Sequence, residues 1–199
     1  MLSSAPRSDC GDGRVAEKAR IIILNGVGSA GKSAIAKALQ EITANRFLHV
    51  QMDGFLEMMP AAGWGHPDWF ALETLEEEGR PSIEIRTGPL GQCLMRGMRR
   101  AIAALAAEGN DMIVDEVMEA PVKRDYELQL AGFDTAFIGV FAPLEVLEAR
   151  ERARGDRLIG LARRQFARIH KDMRYDFEVD TSLATAADCA ERIKARFAL

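Results

Sequence analysis

From Ile21 to Leu39 the chain reads "IIILNGVGSAGKSAIAKAL", and this stretch decides the fold. Ile21 to Leu24 form a short apolar, mostly β-branched run, as suits a strand buried on both faces. Small residues follow, as a backbone that must turn sharply requires, and a helical pattern opens at Lys32. Gly26, Gly31, Lys32 and Ser33 fit the spacing G-x-x-x-x-G-K-[ST], with the strand before and the helix after that the motif demands. The backbone N–H groups of Gly26, Val27, Gly28, Ser29, Ala30 and Gly31 can then cradle a polyphosphate, and the new helix points its positive end at the anion. Lys32 adds a point charge at the β/γ-phosphates, and the Ser33 hydroxyl can ligate Mg²⁺. A Gly-rich turn with a surface lysine is the plainer alternative, but it leaves the flanking strand and helix unexplained. No N-K-x-D guanine motif is present, and 199 residues are few for a motor or transporter. The expectation is a small kinase that uses ATP and Mg²⁺ and brings a second substrate to the γ-phosphate.

The whole chain sets further bounds. Its length suits one domain with a sizeable core. A formal net charge of −4 argues against nucleic acid as a partner, which needs a basic footprint. Cys10, Cys93 and Cys189 are odd in number and far apart, so neither a disulfide frame nor a zinc site is expected, and a cytoplasmic location is. No apolar run is long enough to span a membrane. Residues 1–19 lack the apolar core of a signal peptide and read as a flexible polar extension before a single domain over 20–199. Oligomeric state is not legible.

Apolar runs alternate with helical periodicity, the pattern of an α/β fold: a parallel sheet flanked by helices on both faces. Five strands are expected, over Ile21–Asn25, Phe47–Met52, Met112–Asp115, Thr135–Phe141 and Phe177–Asp180. Leu94, Met98, Ile102 and Leu105 mark one helix face, and Leu158, Leu161, Phe166 and Ile169 another. Residues 54–90 resist this reading. The segment holds both tryptophans and is too long for an ordinary connection, so it is expected to bind the acceptor, with Phe55, Trp64 and Trp69 as candidates and plain core as the alternative.

In an open α/β sheet, ligands bind beyond the carboxyl ends of the strands. Asp53 and the pair Asp115–Glu116 fall there. Asp53 is the candidate base for an acceptor hydroxyl, against a helix-capping role. Asp115 is the candidate metal residue, against a structural hydrogen bond. Alternation along the strand sends Glu116 the other way, toward the acceptor. In "ARERARGDRLIG", Arg150, Arg154 and Arg157 share a helix face, whereas Arg152 points elsewhere. Gly155 breaks the helix beside them, as a lid near 150–160 would require; a solvated helix is the alternative. Arg150 is assigned to ATP, and Arg154 and Arg157 to the charge that develops on the transferring phosphoryl group. His49, His66 and His170 lack metal-ligand spacing and read as structural or surface residues.

The blocks "IILNGVGSAGKS", "MDGFLEMMP", "IVDEV", "ARGDR" and "YDFEVDTS" occur in this order. Together they resemble the chloramphenicol phosphotransferase family of small P-loop kinases. The resemblance covers most of Ile21–Ser182 and is weakest over Ala61–Arg80. It implies a five-stranded parallel sheet like that of nucleotide and shikimate kinases. It also implies transfer of the ATP γ-phosphate to an alcohol of chloramphenicol, inactivating the antibiotic, with the catalytic aspartate at Asp53 and the phosphate loop at Gly26–Ser33. Two other readings stand beside it: a kinase of another hydroxylated metabolite or sugar, and an ATP-dependent switch or binding module, which would need no base at Asp53.

Overall fold

The structure is a computed structural model that describes residues 18–43, 47–77, 79–155 and 158–199. The expected polar extension lies almost wholly outside these residues. Ala19, the second described residue, is already buried.

Five parallel strands form the main sheet in the order β2-β5-β1-β6-β7. They are β1 (Arg20–Asn25), β2 (Leu48–Gln51), β5 (Met112–Glu116), β6 (Asp134–Phe141) and β7 (Phe177–Asp180). Each run expected from the sequence to be a strand is one, within a residue or two at its ends. Side chains alternate across the sheet. Ile22 and Leu24 face α1 (Lys32–Ile42) and α7 (Ala186–Phe197), whereas Ile21 and Ile23 face α3 (Pro89–Ala107) and α4 (Ala120–Gln129). The sheet is therefore covered on both faces, which is why its strands read as unbroken apolar runs.

Beyond β2, residues 54–90 depart from the irregular connection that the sequence suggested. A short helix α2 (Met52–Leu56) leads through a 3₁₀ turn (Ala61–Gly63) to an antiparallel hairpin of β3 (Phe70–Glu77) and β4 (Arg80–Thr87), paired from Phe70↔Thr87 to Glu77↔Arg80. This hairpin is a separate two-stranded sheet. Its β4 strand is attached to the chain after α5 (Leu144–Arg154) by Ile83 N–H donating to the Gly160 carbonyl, 3.1 Å.

The helix α5 ends at Gly155, and α6 (Leu161–Phe166) follows. Buried Glu151 on α5 accepts from the Gly160 and Ala162 backbone N–H groups, at 2.8 and 2.7 Å, and so fixes where α6 starts. The apolar face expected here is only partly realised. Ile169 is buried, while Leu158 and Phe166 remain exposed because α6 is too short to carry a continuous stripe. Among the described residues no helix is long and apolar enough to cross a membrane.

Candidate active site

The loop from Gly26 to Gly31 joins β1 to α1. A side chain at Gly26 would strike the Val140 carbonyl oxygen at 2.4 Å, so only glycine lets the loop leave the sheet there. Gly31 adopts φ 94°, a left-handed conformation that aims the first turn of α1 back over the loop. Val27 and Ala30 are buried, leaving only their backbones to serve an anion. Lys32 Nζ donates to the Gly26 and Val27 carbonyls, at 2.8 and 3.1 Å, and lies 3.8 Å from Asp115 Oδ1. Its ammonium group is thus held across the mouth of the loop.

Parallel pairing of Leu24 with Asp115 brings the end of β5 beside that loop. The Ser33 hydroxyl donates to Asp115 Oδ2. Burial alone would raise the Asp115 carboxyl, but His49, the Lys32 ammonium and the Ser33 hydroxyl outweigh it and hold the group below the usual carboxylate range. The sequence reading set His49 aside. Its imidazole is buried, Nδ1 accepts from the Gln51 amide at 3.1 Å, and Nε2 stands 3.8 Å from Asp115 Oδ2. Its place two residues ahead of Gln51 on β2 was the available signal.

These groups bound a cavity of about 380 Å³ lined by Gly28, Ser29, Gly31, Lys32 and Ser33 and, opposite them, by Asp53, Asp115, Arg150 and Arg154. Asp53 sits in the first turn of α2, where Gln51 rather than Asp53 takes the cap position, so the capping alternative does not describe it. Arg150 is clamped by Thr181, donating to its hydroxyl and its carbonyl at 2.8 Å each. Arg154 reaches the cavity from the last turn of α5, and exposed Arg152 does not line it. Arg157 lies outside the described residues; of the three arginines expected at a lid, Arg150 and Arg154 line this cavity, and α5 ends at Gly155.

Among the described residues no group of three or more His, Cys, Asp or Glu side chains could cage a metal ion. What exists is one hydroxyl and one low-lying carboxylate, Ser33 and Asp115, side by side under a phosphate cradle. That donor set fits Mg²⁺, which keeps most of its water and takes its remaining ligands from one or two protein oxygens and from phosphates.

A second cavity of about 460 Å³ adjoins the first, and Met52 and Val117 line both. Its walls are largely apolar: Leu56, Trp64, Phe70, Ile83, Ile85 and Met95 come from α2, the stretch after the 3₁₀ turn, the hairpin and α3. Of the aromatic candidates, Trp64 lines it and leans on Phe70, ring centroids 5.5 Å apart. Phe55 packs instead against the core beneath the sheet, and Trp69 serves through its backbone, its carbonyl accepting from Gly88 N–H at 2.7 Å. Glu116 does point the other way from Asp115, into this cavity, where the Tyr126 hydroxyl donates to Oε2 at 2.5 Å.

Three of the four arginines along this cavity are matched by carboxylates, whereas the fourth, exposed Arg96, donates to Cys93 Sγ at 3.2 Å. Arg99 pairs with Asp125 at 2.5 Å, Arg164 with Glu77 and Glu84 at 3.0 and 2.8 Å, and Arg168 with Glu84 and Glu119 at 2.8 Å each. Burial pushes the Glu116 carboxyl above the usual range, outweighing the Tyr126 hydrogen bond and the Arg99 and Lys32 charges. The folded protein therefore holds that proton more tightly than the unfolded chain does. Stability is lost as pH rises from the unfolded value near 4.5 through the folded one. Glu116→Gln keeps an acceptor for Tyr126 and removes the titration. It should raise Tm by a few degrees at mildly alkaline pH, since about 1 kcal/mol moves Tm by about 2–4 °C at this size, and leave it nearly unchanged in mild acid. Thermal melts at the two pH values check this, and equal shifts at both would contradict it.

Comparison with known proteins now bears on this geometry. Two Mycobacterium tuberculosis proteins, one from each of two strains, carry names that place them provisionally among O-phosphotransferases. Each is 29% identical over 180 residues, covering 87% of this chain and 80% of that protein. Among solved structures, the M. tuberculosis APS kinase in complex with AMPPNP and APS superposes with a TM-score of 0.65 at 14% identity, covering 92% of this chain and 99% of that one. An unliganded sugar kinase from Janibacter gives 0.62 at 18%, covering 90% and 94%. The fold is thus that of P-loop kinases. The family profile described as chloramphenicol phosphotransferase-like protein matches residues 19–198; the chain belongs to that family and is a small-molecule O-phosphotransferase.

Proposed function

We propose that this enzyme transfers the γ-phosphoryl group of ATP to a hydroxyl of an uncharged, partly apolar alcohol of the chloramphenicol kind. The observation that carries the reading is the junction of two unlike cavities at Met52 and Val117. One offers backbone N–H groups, Lys32 and two arginines, as a polyphosphate needs. The other offers apolar walls and three arginines neutralised by carboxylates, with exposed Arg96 the exception, which favours an acceptor without strong charge.

In this reading Asp53, next to Met52, accepts the proton of the acceptor hydroxyl as its oxygen bonds to the γ-phosphorus and ADP leaves. Lys32 and Arg154, joined by Arg157, meet the charge that spreads over the phosphoryl oxygens. Ser33 and Asp115 would hold Mg²⁺, which when bound neutralises phosphate charge. The partly exposed Trp64 ring also suits a sugar face, and this favours a sugar kinase as the second reading.

Incubation with Mg²⁺, ATP and a panel of chloramphenicol, a neutral sugar and an acidic alcohol, read by mass for an added phosphoryl group, tests the assignment. The apolar neutral alcohol should be phosphorylated best, and preference for the acidic one would overturn the reading. With the acceptor so found, Trp64→Ala should raise its KM about tenfold, the value of a partly buried aromatic contact, and leave the KM for ATP unchanged. Trp69→Ala, away from the cavity lining, should change neither by much; a larger effect there than at Trp64 would count against this pocket.

A further inference from the structure

One phosphate-loop donor is already occupied. Gly28 N–H donates to Gln165 Oε1 at 2.7 Å, across 137 residues of sequence. Gly28 lines the loop cavity, and Gln165 lines the acceptor cavity. A side chain at Gly28 would come within 3.2 Å of that amide oxygen. Gln165 is thus the point where the acceptor wall touches the phosphate loop.

Its position is built rather than incidental. Glu151 fixes the start of α6 through two backbone N–H groups. The next residue back, Arg164, is tied to Glu77 and Glu84 of the hairpin, and Arg168 is tied to Glu84 and Glu119. The helix therefore presents the Gln165 amide from a braced platform. An amide is suited to the place because it is neutral and offers both an acceptor oxygen and two N–H donors.

In-line transfer requires that the phosphate nearest the acceptor cavity be the γ-phosphate. Gly28 is the loop residue that faces that cavity through Gln165. We infer that Gln165 is a positioning residue for the γ-phosphoryl group: its amide oxygen keeps the place of a γ-phosphate oxygen at Gly28 N–H and yields it when ATP arrives. A charged phosphate oxygen outcompetes a neutral amide for that donor. The released amide then faces the acceptor cavity that Gln165 lines, where it can bond the acceptor hydroxyl. The inference rests on the kinase reading above and assigns a residue that no part of the loop motif specifies.

The test needs no acceptor. Mg²⁺-AMPPNP, which has a γ-phosphate, and Mg²⁺-ADP, which has none, are titrated calorimetrically into wild type, Gln165→Ala and Gln165→Glu, with melting curves to confirm folding. Removing the competing amide should tighten AMPPNP binding by about two- to tenfold, the worth of one neutral hydrogen bond, and leave ADP binding unchanged. Gln165→Glu puts a charged acceptor on the same N–H and should weaken AMPPNP by on the order of tenfold with little change for ADP. Equal shifts for both nucleotides in either variant, no shift at all, or weaker AMPPNP binding to Gln165→Ala would overturn the placement at the γ-phosphate. Failure of wild type to bind either nucleotide would instead bring down the kinase reading itself and this inference with it.

Discussion

Asp53→Asn should lower kcat by roughly 10²- to 10⁴-fold, about 3 to 5 kcal/mol in the barrier, while ATP still binds. Asp53 lines the loop cavity together with Lys32, Ser33 and Asp115 and sits beside Met52, at the border with the acceptor cavity. An aliphatic hydroxyl is a weak nucleophile, and an ordinary carboxylate cannot strip its proton in advance. The help comes in the transition state, where the proton has become acidic. Asparagine keeps the size and one acceptor oxygen but cannot take the proton. Helix α2 should be undisturbed, because Gln51 holds the cap position. Steady-state kinetics with the alcohol found in the panel, paired with calorimetric ATP affinity, checks the claim. A loss under about tenfold would remove Asp53 from the role of base.

Lys32→Ala should be nearly as damaging, but at both stages. Its ammonium is held over the loop by the Gly26 and Val27 carbonyls, with Asp115 close by. The charge is therefore in place before the nucleotide arrives and needs no reorganisation at the moment of transfer. Removing such a preset donor costs on the order of 10²- to 10³-fold in kcat, and AMPPNP affinity should fall with it. Alanine also leaves the Asp115 carboxylate without its nearest cation, so what remains of the site repels phosphate more strongly. Wild-type AMPPNP affinity in this variant would argue against the placement of the triphosphate in this loop. Lys32→Arg is a useful companion. Arginine keeps the charge but is wider and flatter than the ammonium, so it should recover binding better than turnover.

The main sheet was readable because its strands are buried on both sides. Residues such as Ile21–Leu24 have no polar partner to interrupt them, and the small-residue turn before Lys32 admits few other uses. The hairpin hid for physical reasons. Ile83 and Ile85 alternate with Ser82, Glu84 and Arg86, a strand signal, yet Pro81 sits within β4 and argues against a strand in a sheet interior. A two-stranded sheet has only edges, so the proline is tolerated. The partner strand β3 has glutamates on both faces, Glu73 and Glu77 on one and Glu76 on the other, so it lacks a clean alternation and shows its pairing only in three dimensions. At the candidate site, motif positions such as Lys32, Ser33 and Asp115 could be placed from strand ends alone. Phe55 could not be told from Trp64, because aromatic content does not say which way a side chain faces. Gln165 was beyond reach: its place depends on Glu151 bracing α6 and on the hairpin holding Arg164, contacts that span much of the chain.

The independence of the hairpin from the main sheet also bears on descent. β3 and β4 share no ladder with the strands that carry Asp115 and the phosphate loop. They join the rest through a few backbone bonds and half-exposed ion pairs. Replacements at Ile83 or Ile85 can reshape the acceptor cavity without breaking any ladder of the main sheet. Selection can therefore alter which alcohol is modified while the machinery that modifies it stays fixed. A lineage of such enzymes can diversify its targets by changes confined to one small ribbon.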